Sequence, residues 1–305
     1  MKKLRVLGVV FLIFIGVIAL GFTTGFLSIP SFKSISNNWG NISNTTTEIS
    51  SNITIENNNP FSIVIPRVKV TYALKMNDID MAEGSVENIN LQQGDTTIEV
   101  ISYLNNTKIP EWWISHITNN ETTSIDIDPM VVIDAEFSEP SITVPGKTIT
   151  LSTNLLTTIH ANEGKKIQVG LINLTIESIN GTWGEINNET TEILVDLVLS
   201  NPLPISIYIP PVNYTIAMND IVLGKGTSNN TPILTNNSVF TMSLSILINN
   251  NMLDKWFVSH LQNDEHSILR ISIASTVEYE GLSYTIDEFM LYTHEFDTDI
   301  LGSNL

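Results

Sequence analysis

The chain has 305 residues, no cysteine, and 32 acidic against 14 basic side chains, a formal charge of −18. Without cysteine there are no disulfide scaffolds, zinc ribbons or thiol nucleophiles, and a pI near 4.5 lacks the basic face a nucleic-acid binder needs. Charged residues make up 15% of the chain against roughly 25% in an ordinary soluble domain, and asparagine, with 33 copies, takes their place.

The N-terminus carries Lys2, Lys3 and Arg5, and Val6 to Phe32 holds no charge. About 20 apolar residues span a bilayer core, and the basic cluster keeps the N-terminus cytoplasmic. A cleaved signal peptide would show a shorter run and a small-x-small site; the sequence after the run, from Gly21 to Pro30, is a poor one. The expected reading is a single-pass, uncleaved transmembrane helix within 1–30, with the bulk of the chain extracellular. Three of the 14 basic residues lie in the first five positions, so the exterior carries 11 basic and 32 acidic residues. Anionic headgroups repel such a surface, so the membrane contact expected is the anchor alone.

The exterior is written twice. Trp39-Gly40-Asn41-Ile42 returns as Trp183-Gly184-Glu185-Ile186, and Asn59-Pro60 as Asn201-Pro202. Tyr72 matches Tyr214, Met76-Asn77-Asp78-Ile79 matches Met218-Asn219-Asp220-Ile221, and Gly84 matches Gly226. Trp112-Trp113-Ile114-Ser115-His116 returns as Trp256-Phe257-Val258-Ser259-His260. Offsets of 142 to 144 are the length of a domain, not of a solenoid repeat of roughly 20–50 residues. Residues 31–158 form one copy and 167–305 the other, with a polar joint at 159–166.

Within each copy the pattern has period two. Val68, Val70, Tyr72, Leu74 and Met76 alternate with Lys69, Thr71, Ala73 and Lys75, and Ile193 to Leu199 and Phe240 to Ile248 are similarly apolar, as half-buried strands require. Asn77-Asp78 and Asn219-Asp220 predict tight hairpins, because both residue types tolerate left-handed backbone. The prolines at 60, 66, 202, 210 and 211 predict an edge strand kinked at proline. Pro110 to Ile117 and Leu253 to Leu261 predict one short helix per copy, each with an early acid, Glu111 or Asp254. The fold class expected is mainly β, two tandem β-sandwiches each with one short helix.

The ordered Asn-Pro, paired proline, Tyr strand, Asn-Asp hairpin and following Gly resemble the water-stress-and-hypersensitive-response (WHy) domain of the group-two late-embryogenesis-abundant, desiccation-related proteins. The Trp-x-x-Ser-His block is similar to prokaryotic, especially archaeal, members. The resemblance covers both copies. It implies a fibronectin-III-like β-sandwich and a stress-protective or binding role without catalysis. Those proteins are often soluble and single-copy, whereas this chain is anchored and tandem.

Chemistry has few candidates. Ser115 and His116 are adjacent, and neighbouring helical residues point about 100° apart, so they do not pair as nucleophile and base. His116 and His260 are expected to anchor the helix end, favourably when charged, with Glu121 and Glu265 in a turn five positions on. Trp112, Trp113 and Trp256 could stack on sugars but are expected in the core. Asp126-Ile127-Asp128 and Asp297-Thr298-Asp299 lack the acids and glycine of a calcium loop and read as solvated strand ends. Eleven Asn-x-Ser/Thr triplets, at Asn41, Asn44, Asn52, Asn105, Asn120, Asn173, Asn180, Asn188, Asn213, Asn229 and Asn236, are candidate glycan acceptors on an exported surface.

No cofactor, metal or catalytic residue is expected. The functional expectation is a non-enzymatic, membrane-anchored surface module that protects or binds. A cell-envelope structural or adhesive module, or apolar-ligand and lipid binding between the sheets, are the rivals.

Overall fold

A computed structural model of the chain describes residues 28–133, 141–156 and 164–300, apart from gaps at 29, 144–146, 165, 170–171, 203, 205, 209–210, 229–232, 236, 280–281 and 299. The expected apolar span from Val6 to Phe22 lies outside the described residues, as does most of the joint at 159–166. Among the described residues no helix is long and apolar enough to cross a membrane.

The chain is mainly β, with antiparallel sheets, and divides into two units: 1–152 with 298–305, and 153–297. The division falls where β8 ends at Ser152, opposite Thr122. In the first unit, β1 (Ser31–Ile42), β2 (Thr46–Asn57), β3 (Ile63–Met76), β4 (Ile79–Leu91) and β5 (Gly94–Asn105) precede α1 (Ile109–Thr118). β6 (Thr122–Ile133), β7 (Ser141–Thr143) and β8 (Lys147–Ser152) follow it. All eight strands share one sheet, in the order β1-β2-β5-β4-β3-β6-β7, with β8 also on β6.

The second unit runs β9 (Lys166–Val169), β10 (Ile172–Ile186), β11 (Thr190–Asn201), β12 (Ile207–Tyr208), β13 (Asn213–Met218), β14 (Ile221–Thr227), β15 (Ile233–Leu234) and β16 (Ser238–Asn249). Then come α2 (Leu253–Gln262), β17 (His266–Tyr279) and β18 (Leu282–Asp297). Here the strands form two sheets, β16-β11-β10-β9 and β14-β13-β17-β12-β15, with β18 on β17.

The period-two pattern becomes alternating burial. Every second residue of β2 and of β11 is buried, as a strand with one face on a core requires. Ile49, Ile53, Ile55, Val100 and Leu104 fill the first core with Met81, Leu91 and Ile125. Ile193, Val195, Leu197, Leu199, Leu244 and Ile246 do so in the second, with Ile216, Leu223 and Ile271. This is β-sandwich character.

The repeated Trp-Gly is a β-bulge. Register slips between Trp39 and Ile42 against β2, and between Trp183 and Ile186 against β11. The freed N–H of Asn41 donates to Glu48 Oε2 at 3.2 Å, and that of Glu185 to Glu192 Oε2 at 2.9 Å. A side chain on Gly40 or Gly184 would collide with that same glutamate. Thus Trp-Gly, and a glutamate eight residues after the glycine, are one device.

Both Asn-Asp pairs are hairpin turns. Asn77 and Asp78 have φ of 50° and 63°, Asn219 and Asp220 47° and 65°, and the flanking Met76–Ile79 and Met218–Ile221 pair directly, as in a type I′ turn. Pro66 falls where the β4 register slips between Ile65 and Lys69, and before the β6 ladder begins at Val68. No ladder pair is made at Pro66, so its missing N–H leaves no strand bond unmade.

Candidate functional site

Two polar constellations recur in each unit. In the first, the Asn-Asp hairpin meets the short helix. Asn77 binds β6 three ways: its N–H donates to Ser124 O at 2.8 Å, its Oδ1 accepts Ser124 N–H at 2.8 Å, and its Nδ2 donates to Thr122 O at 3.4 Å. The same amide nitrogen reaches Ser115 Oγ on α1 at 3.0 Å. Asn219 repeats the strand bonds with Ile268 and with the carbonyl of His266, while its amide nitrogen reaches Ser267 Oγ on β17 at 3.3 Å instead of the helix. A left-handed turn residue with an amide side chain is what this site needs, so asparagine stands at both positions.

Beside it lies the tryptophan–histidine block. His116 Nδ1 is 2.8 Å from Thr123 Oγ1, and Trp112 Nε1 donates to that same oxygen at 3.0 Å. His260 Nδ1 and Trp256 Nε1 meet Ser267 Oγ at 2.8 and 3.0 Å. The indole and imidazole rings stand 5.4 Å apart in the first unit and 5.7 Å in the second. Both histidines are buried, as are both hydroxyls. Burial pushes each imidazole pKa below its ordinary value, while the Glu121 or Glu265 carboxylate pulls the other way. The histidines thus tie their helices to the neighbouring strand through buried hydrogen bonds. Burial disfavours the charged form because the tertiary packing removes the water that a charge would need.

An imidazole 2.8 Å from a hydroxyl is base-to-nucleophile distance. Here the hydroxyls of Thr123 and Ser267 are sealed beneath a tryptophan, and no substrate atom reaches them in this conformation. Trp113 and Trp256 are buried, as expected, whereas Trp112 is half-buried with its N–H on Thr123. Glu121 and Glu265 are buried at turn positions with φ of 55° and 60°.

A second constellation escaped the sequence reading. Asn106 and Asn250, each wholly buried, stand just before the helices. Asn106 Nδ2 donates to Ser43 O at 2.9 Å and its side chain bonds Thr47 Oγ1. Asn250 Nδ2 donates to Asn187 O at 2.9 Å, and its Oδ1 accepts Thr191 Oγ1 at 2.8 Å. The doubled Asn-Asn at 105–106 and 249–250, at the shared offset of 144, was the available signal.

The units differ at one seam. In the first, Ala82 to Ser85 of β4 pair with Leu104 to Ile101 of β5 and join the layers. In the second, β14 and β16 make no ladder, and Tyr214 OH accepts the Leu247 N–H at 3.3 Å. Beside that seam opens a groove of about 480 Å³, walled by Val222, Leu223, Lys225, Leu247, Asn249 and Met252. Its lining mixes apolar and polar groups.

Among the acids, Asp126 accepts Ser124 Oγ and Thr148 Oγ1 from the middle of β6, which corrects the strand-end reading. Asp297 pairs with His266 Nδ1 at 2.8 Å, and Asp299 lies outside the described residues. No group of three or more metal-ligating side chains gathers among the described residues. Asn41, Asn44, Asn105, Asn120, Asn180, Asn188 and Asn213 are exposed and Asn52 is half-buried. Asn229 and Asn236, and the side chain of Asn173, are outside the described residues.

No protein-family model and no curated protein matches the chain. Among solved structures, a protein from Archaeoglobus fulgidus is similar over 42% of this chain and 100% of its own, at 28% identity and a TM-score of 0.38. One from Arabidopsis thaliana is similar over 39% and 78%, at 16% identity and a TM-score of 0.32. A β-glucuronidase of Bacteroides uniformis aligns with 83% of this chain but 26% of its own length, at 8% identity and a TM-score of 0.25. Scores this low say nothing about activity.

Proposed function

We propose that the chain is a membrane-tethered surface protein whose two WHy-like, fibronectin-III-like sandwiches act without catalysis, as a stress-protective or binding module. One observation carries this reading. The residues that make the twice-written motif, Asn77 and Asn219, Trp112 and Trp256, His116 and His260, are engaged in internal hydrogen bonds. Such a motif specifies a duplicated scaffold, and a scaffold presents its outer surface. That surface is acidic and rich in asparagine, which favours solubility and strong hydration. The exposed Asn-x-Ser/Thr sites are compatible with glycans on an exported chain.

The test is survival after drying or osmotic shock in cells lacking the gene and in cells with it restored. A marked loss of survival on deletion supports protection. Unchanged survival with weakened envelope integrity or altered cell contact would favour the structural and adhesive reading instead.

The groove beside Leu247 favours a second reading, ligand binding at the seam of the second unit. Its volume falls in the range of small-molecule sites, about 300–1,000 Å³, and Val222, Leu223, Leu247 and Met252 supply apolar contact. Native mass spectrometry of the full chain would show a co-purifying lipid or small apolar molecule; its absence removes this reading.

A further inference from the structure

The two seams use one tyrosine in two ways. Tyr72 and Tyr214 each lie over a glycine of the next strand, Gly84 and Gly226, where a Cβ would strike the ring. In the first unit, Tyr103 on β5 pairs with Glu83 on β4, and the Tyr72 hydroxyl is buried without a hydrogen-bond partner. In the second, Leu247 holds the place of Tyr103 at offset 144, and Lys225 that of Glu83 at offset 142. Those two residues do not pair, and the Leu247 N–H goes to the Tyr214 hydroxyl. A strand carbonyl and a phenol therefore compete for the same backbone donor.

The competition is close in space. Leu247 sits opposite Glu192 in the β11 ladder, yet its N–H points away from β11 to reach Tyr214. Ser245, two residues earlier, faces the same way. The β14 backbone is already at hand, since Gly224 lies so close to the Leu247 carbonyl that a Cβ would overlap it. Closing the seam exchanges a long bond to a phenol, 3.3 Å, for ladder bonds with Lys225 and Thr227.

We propose that the β14–β16 seam of the second unit is a two-state clasp, held open by the Tyr214 hydroxyl and closing into the ladder that β4 and β5 form in the first unit. Lys225 and Leu247 also wall the groove, so the clasp sets the groove's width. The proposal does not require a ligand there, and its test is independent of one.

Hydrogen exchange at single-amide resolution on the full chain in detergent tests it. In the wild-type protein the amides of Leu247 and Ser245 should exchange at least about tenfold faster than those of Tyr103 and Ile101, because open seams lack ladder protection. Equal rates would overturn the proposal. Tyr214→Phe removes the competitor, so Leu247 and Ser245 should slow to within about twofold of Tyr103 and Ile101. Faster or unchanged exchange there, with β11 still protected, would overturn it. Tyr72→Phe removes a hydroxyl that bonds nothing, and Tyr103 and Ile101 should keep their protection; a change there also counts against the clasp. If Tyr214→Phe fails to fold, the wild-type comparison of the two seams decides alone.

Discussion

The first unit joins its layers at β4 and β5, while the second leaves β14 and β16 apart. Both units keep the hairpin asparagine, the tryptophan–histidine block, the Trp-Gly bulge and the buried asparagine before the helix. The two units also differ in the residues at and beneath the seam. Ala82 of the first unit stands where the second has Gly224, and Ser51 and Ser102 stand where it has Val195 and Ile246. The first core accordingly buries the hydroxyls of Ser51, Ser102 and Tyr72 without partners, whereas the second places apolar side chains at two of those positions and bonds the third. One duplicated motif thus tolerates either a closed seam over a less satisfied core or an open seam over a more apolar one.

The sharpest way to break this comparison is Gly224→Ala. Its methyl would meet the Leu247 carbonyl, a backbone atom that cannot swing aside. The second unit should lose about 3 kcal/mol, at the upper end for overpacking, while Ala82→Gly in the first costs about 1 kcal/mol or less. Denaturant unfolding of each variant measures both, and equal losses would show that the seams are alike.

The hairpin asparagines should behave as a matched pair. Asn77→Ala and Asn219→Ala each remove side-chain bonds to the neighbouring strand and place alanine at a left-handed position. A loss of about 3 kcal/mol is expected in each unit, from two strand bonds worth about 1 kcal/mol apiece and a backbone penalty of about 1 kcal/mol. Unequal losses would mean that the shared constellation is not energetically shared.

Acid probes the histidines. Each imidazole titrates lower in the folded chain than its ordinary 6.5, because of burial. The unfolded chain therefore binds protons first, and stability falls as pH drops below about 6.5, by up to about 1.4 kcal/mol per pH unit for each histidine until the folded value is reached. Above that window the histidines contribute no slope. His116→Gln should flatten the slope in the first unit only, as read from unfolding midpoints between pH 7 and 4.

The smallest effect is a gain. Ser51→Val, which installs the residue of the second unit, and Ser102→Ala each remove a buried hydroxyl that has no partner. The first unit should be stabilised by about 1 kcal/mol in each case, which raises its denaturation midpoint.

Much of this was legible before any coordinates. The strands followed from alternation, the hairpins from Asn-Asp, and the helices from proline or an early acid beside an aromatic pair, because each is a local property of backbone and side chain. Trp112 and His116 were legible as members of one short helix. Their partner Thr123 was not, since a hydroxyl in a strand carries no mark of what it will meet. The pKa of His116 depends on tertiary structure for a related reason: helix position favours a charge, while burial pushes the imidazole pKa down. Pro66 is legible as a break in strand pairing because proline lacks an N–H, and it lies where the β4 register slips and before the β6 ladder begins.

The sequence alone determined the duplication, the β class and the turns, since repeat spacing, residue period and left-handed tolerance are written in the order of the residues. Tertiary structure decided which hydroxyls found partners and whether each seam closed. Those outcomes depend on how strands distant in the chain meet, where a single backbone N–H can be claimed by a phenol or by a neighbouring strand.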